Sequence, residues 1–182
     1  MVYLLLSCCL CLAFVFGQSA VSKTGSKAFR DFAGSAGPLE ILPTGLRVPA
    51  AAGVVVAEVT LTVALLVGAF SASLRFVASA GFLLAVLLLL SFTAAIVVTL
   101  RRGIRKPCKC FGAATTPLGR AHVVRNVLLL AAAVAGLVAG ATRPESVEPA
   151  GFAIAAVAGL VGGLLVTRFD DLVELFGSQA IG

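Results

Sequence analysis

Long apolar runs separated by short polar stretches dominate the pattern along this chain. From Met1 to Ala20, Ala50 to Phe70, Ala78 to Leu100 and His122 to Ala141 the residues are almost continuously aliphatic. Each run has about the 20 residues a helix needs to cross the hydrocarbon core of a bilayer. A fifth run, Gly151 to Thr167, is shorter and rich in glycine, but Pro149 before it and Arg168 after it bracket it as one unit. Its length suits a tilted span or a re-entrant piece, and we count it as a span. The connections are Val21 to Pro49, a short turn around Arg75, Arg101 to Ala121, and Thr142 to Ala150. The expected fold is all-α: a polytopic membrane helical bundle of four core transmembrane helices plus a fifth, in a single transmembrane domain over residues 1–182.

Composition removes the soluble alternatives. Of the 182 residues 60% are hydrophobic and 12% charged, whereas a soluble domain is about a quarter charged. The formal charge of +6 does not point to nucleic acid, because the basic residues fall between apolar runs and do not gather on one polar face. They set the topology instead. With five spans, one side of the membrane receives Lys23, Lys27, Arg30, Arg47, Arg101, Arg102, Arg105, Lys106, Lys109, Arg120, Arg125 and Arg168, and the other only Arg75 and Arg143. Cytoplasmic loops carry the excess of Lys and Arg, so the N-terminus is expected outside and the loop after the third span in the cytoplasm. Gly17 to Ala20 resembles a signal-peptide cleavage site, but no basic region precedes the apolar run and cleavage would leave an awkward four-span topology.

The five cysteines fall in two groups. Cys8, Cys9 and Cys11 sit inside the first apolar run and read as small hydrophobes in a helix. Cys108 and Cys110 lie in Lys106-Pro107-Cys108-Lys109-Cys110-Phe111-Gly112, where thiol chemistry is easier. Pro107 ends the preceding helix and Gly112 lets the backbone turn. Neighbouring Arg105, Lys106 and Lys109 favour the thiolate, and a disulfide closed across one intervening residue is strained and hence labile. Two free thiols, or a metal site completed by His122, are the competing readings. Two thiolates and one imidazole leave a structural zinc site one ligand short, so no metal is assigned.

Glu58 stands inside the second apolar run, where an ionisable group is costly and normally points into the bundle. Lys23 closes the first run, and His122, Arg125 and Asn126 open the fourth. All lie in the leaflet half that also receives the cysteine loop. We expect Lys23 and Glu58 to be coupled and Arg125 to face inward, in a charged cluster supporting Cys108 and Cys110. Gly136-x-x-x-Gly140 and Gly159-x-x-x-Gly163 place small residues one turn apart and suit close helix packing within the bundle.

Lys23, Glu58, the run Pro107-Cys108-Lys109-Cys110-Phe111-Gly112, and Arg125-Asn126 together resemble the MauE family of bacterial membrane proteins, within a wider DoxX-like group. The resemblance runs over most of residues 1 to 141, and its Cys-x-Cys-Phe-Gly core is the specific part. It implies a methylamine-utilisation protein that processes, transports or matures the disulfide-rich light subunit of methylamine dehydrogenase, or a similar exported client. The architecture is also similar to the four-helix core of vitamin K epoxide reductase-like enzymes, which pass electrons between thiols and a quinone. Those enzymes use Cys-x-x-Cys. The shorter spacing here argues against carrying their quinone over, and no other cofactor is implied.

The sequence reading is thus a membrane thiol-disulfide component whose exchanging pair is Cys108 and Cys110, with membrane lipid and an exported, disulfide-containing client as its partners. Its rivals are a non-enzymatic chaperone or export factor with incidental cysteines, and a metal-binding transport protein. One conflict remains inside the reading: charge places the pair in the cytoplasm, while a client that is exported and oxidised would be met outside. The charges belong to this chain, and we follow them.

Overall fold

A computed structural model of the protein describes residues 1–34, 39, 42–102, 120–142 and 147–169. Among these the chain forms α1 (Val2–Ser22), α2 (Ser26–Gly34), α3 (Thr44–Phe70), a 3-10 turn at Ala72–Leu74, α4 (Arg75–Arg101), α5 (Arg120–Gly140) and α6 (Pro149–Thr167). Five of them are long and apolar enough to cross a membrane: α1, α3, α4, α5 from Ala121, and α6. The protein is an all-helical, multi-pass membrane protein. Helices are what lipid permits, since each satisfies its own backbone N–H and C=O groups where no water is available.

The spans start two to six residues earlier than the sequence pattern suggests, except α1, and two differences bear on the site. The second span begins at Thr44 and runs through Pro49, which the sequence pattern places just before it. A proline this near a helix start forfeits the bond to one carbonyl, that of Gly45, and leaves the rest of the ladder intact. Glu58 is therefore deep in a helix of 27 residues. The other difference is α2, a helix within the stretch Val21 to Pro49 that the sequence pattern shows only as a connection. Gly25, at φ +96°, turns the chain sharply after α1 in a conformation that side chains with a Cβ avoid. Phe32 and Ala33 of α2 then pack with Leu39 and Ala51, flanked by Phe29, Leu42 and Val54.

Contact patterns fix how the spans lie. Gly136 of α5 sits against Cys8 of α1 and the Phe82 ring of α4, and one turn on Gly140 approaches Leu5 and Ser79, so α5 is antiparallel to both neighbours. Gly151, Gly159 and Gly163 of α6 meet Tyr3, Ser7 and Cys11 of α1 in the same order, so α6 runs parallel to α1. A Cβ at Gly159 would come within 2.5 Å of the Ser7 carbonyl oxygen, which means that the two backbones touch. The Ser7 hydroxyl ties them further by donating to the Ala155 carbonyl at 3.0 Å.

These pairings leave α1 in the middle, with α3, α5 and α6 around it. Its spanning window is 61% buried, against 17–33% for the other four. Leu5, Cys8, Leu12 and Phe16 of α1 form the core with Leu61 and Leu65 of α3, Phe82 and Leu89 of α4, and Leu129 and Ala133 of α5. Exposed aliphatic residues such as Val56, Val63, Leu87, Ile154 and Val157 point outward from the bundle, where acyl chains replace water as the solvent.

Candidate functional site

Among the described residues the fully buried polar and charged side chains are confined to one end of the bundle. They are Ser19, Lys23, Glu58, Thr99, His122, Arg125 and Asn126. Counting outward from the level where Cys8 meets Gly136, Lys23 lies about 22 Å along α1 and His122 about 21 Å along α5. Thr99, counted from Phe82 at the same level, lies about 26 Å along α4. All seven thus share the end at which α1 finishes, α4 finishes and α5 begins.

Ser19 and Lys23 are four residues apart, so both side chains leave the same face of α1. That face meets Glu58 on α3. The Lys23 ammonium donates to Glu58 Oε1 at 2.7 Å, to Oε2 at 2.9 Å and to Ser19 Oγ at 2.6 Å, which uses its three protons. Ser19 in turn donates to Glu58 Oε1 at 2.9 Å. The carboxylate therefore accepts three bonds, and the ring Lys23–Ser19–Glu58 closes on itself. Thr62, one turn beyond Glu58, donates back to the Glu58 carbonyl at 2.7 Å. The Phe32 ring of α2 covers the cluster, its centroid 4.8 Å from Lys23 Nζ.

The pair is sealed: the two side chains are 1% and 0% exposed. Removing either partner would strand a charge away from water, and that penalty, larger than any gain from an exposed salt bridge, is what couples the two residues. Two carbonyls at the end of α1 are handled by the backbone, where the Lys23 N–H donates to the Ala20 oxygen and the Thr24 N–H to that of Val21.

The remaining sequence-derived residues are placed as follows. Arg125 is 3% exposed and lies on α5 between His122 and Asn126, which share a face one turn apart. Cys108 and Cys110 lie outside the described residues. The chain leaves the described bundle at Arg102 and re-enters it at Arg120, both at the polar end. Cys8 and Cys9 are buried and Cys11 is partly buried, all as free thiols. Among the described residues no three His, Cys, Asp or Glu side chains come together as metal ligands. Sequence reasoning missed the Phe32 cover, the bridging role of Ser19, and Thr99. The Phe32 cover had a signal: Phe29, Phe32 and Ala33 repeat at the three- and four-residue spacing of an amphipathic helix. Thr99 had none, since its hydroxyl bonds the Ala95 carbonyl within α4 as any helical threonine can.

The family profile described as methylamine utilisation protein MauE matches residues 1–139. Those residues hold α1 to α5 but for the last residue of α5, and α6 lies beyond them. Neither a curated protein nor a solved structure matches the chain.

Proposed function

Because the chain belongs to the methylamine utilisation protein MauE family, we propose that this membrane protein serves methylamine utilisation by thiol-disulfide maturation of an exported client. The light subunit of methylamine dehydrogenase is the client the resemblance suggests. Cys108 and Cys110 are the exchanging pair in this reading. One thiolate attacks a client disulfide, giving a mixed disulfide and a client thiol; the other cysteine then attacks the mixed disulfide and displaces the client, which leaves with two thiols and two electrons while the pair that gave them up closes as a disulfide. The reverse sequence oxidises the client.

One observation carries the reading: the sealed Lys23–Ser19–Glu58 ring stands at the end of the bundle from which the cysteine-bearing segment departs and to which it returns. A bundle held together only by apolar packing has no need of a buried ion pair there. In this reading Lys23 and Glu58 fix the ends of α1 and α3, and Arg125 adds positive charge to the same end, which favours thiolate. The balance of basic residues puts this end in the cytoplasm and the N-terminus outside.

The test combines orientation and chemistry. A membrane-impermeant thiol reagent on intact cells should leave Cys108 and Cys110 unmodified, while permeabilised cells should show labelling that is absent from the C108S/C110S variant. The same variant should lose client maturation. Normal maturation by the double-serine protein would transfer the function to a chaperone or export factor without redox chemistry, and labelling in intact cells would reverse the topology.

A further inference from the structure

The short helix α2 plays no part in the thiol reading, yet its two faces differ more sharply than those of any span. Ala28, Phe29, Phe32 and Ala33 turn inward, and Phe32 lies over the Lys23 ammonium. Ser26, Lys27, Arg30, Asp31 and Gly34 are exposed on the opposite side. The outer face thus offers two basic side chains against one acidic one. It does so at the polar end of the bundle, where Arg101, Arg102 and Arg168 are also exposed.

We infer that the outer face of α2 docks on the anionic lipid surface of its own membrane, and that this contact holds Phe32 down over the Lys23–Glu58 pair. Charge complementarity selects the partner: a cytoplasmic leaflet is negative, and each Lys or Arg close to it gains about 1 kcal/mol, an effect that salt removes within a Debye length. Geometry supplies the coupling. The nine residues of α2 pack chiefly on α3, and the single turn through Gly25 links them to α1, so α2 has few contacts to hold it besides those of its apolar face. Its basic side chains, Lys27 and Arg30, lie on the outward, exposed side, where a surface beyond the bundle can reach them. Membrane charge would then bear on the cover of the buried pair without touching the pair itself.

Amide hydrogen exchange on the full chain in vesicles tests this. In phosphatidylglycerol-containing vesicles, exchange across residues 26–34 should be about fivefold to thirtyfold slower than in pure phosphatidylcholine, the range set by one to two basic residues at the surface. High salt should remove the difference, and so should the K27Q/R30Q variant. Exchange across α5 serves as the control for intact folding and should be the same in every sample. Equal α2 exchange in both lipids overturns the inference, and so does protection that appears only when a soluble cell fraction is added, since that would make the partner a protein.

Discussion

The two ends of the bundle follow opposite rules. At the end where Cys8, Phe82 and Gly136 meet, the helices approach through small residues and fill the space with rings and aliphatic chains, and Gly68 on α3 lies against the Ala78 backbone on α4. At the other end sit the seven buried polar side chains, with a complete ion pair among them. Lipid supplies no hydrophobic force to press helices together, so the dry end depends on close fit. The polar end depends on matched charge, which is costly to assemble and costlier to break. A protein needing only a stable anchor would be served by the first arrangement throughout. Among the described residues the expensive arrangement is confined to a single end, the one to which the proposal above assigns the chemistry.

The contrast can be broken most directly at Glu58. The Glu58→Leu variant should lose about 3–5 kcal/mol of stability in detergent unfolding, because it leaves the Lys23 ammonium buried alone. Adding Lys23→Met should restore most of that loss while function stays absent, since a well-packed apolar pair often equals a buried salt bridge in stability. A double variant that remained as unstable as the single one would show that the ion pair is not the unit of stability at this end.

The fit rule is tested at Gly159. Replacing it by Leu should cost about 1–3 kcal/mol by forcing α6 off the α1 backbone, with client maturation retained in whatever fraction stays folded. Thermal denaturation paired with a maturation assay reads both quantities, and loss of maturation in folded protein would erase the division between the two ends.

The smallest effect is expected at Phe32. Leucine there keeps most of the apolar cover but removes the aromatic face over the ammonium, so the loss should be about 0.5–2 kcal/mol. If the same unfolding measurement gives no change, the ring contributes only its bulk.

Much of this was legible in the sequence, for physical reasons that differ by feature. The five spans show because lipid demands about 20 apolar residues in a row, a signal few other folds produce. Glu58 and Lys23 show because charge inside such runs is rare. The start of α3 was hidden by Pro49, whose usual meaning as a stop is overridden close to a helix end. The helix α2 was hidden by its length and polarity: with Lys27, Arg30 and Asp31 among nine residues, it reads as loop unless the Phe29–Phe32–Ala33 spacing is weighed against Ala51 and Val54, which become its neighbours only in three dimensions. Ser19 was noticed only as a polar end residue, because its bridging role depends on α3 arriving beside it.

The central place of α1 has a consequence for how the protein is made. The helix that the finished bundle buries most leaves the ribosome before the helices that bury it, and its partners α5 and α6 follow only after about a hundred residues or more, a delay on the order of ten seconds at ordinary synthesis rates. During that interval the faces destined for them have only lipid or the insertion machinery as company. Lys23 waits a shorter time, because Glu58 arrives with α3, the next span. The ion pair is thus available as a long-range link before the later helices exist, setting the register of α1 against α3 before the dry end can close around them.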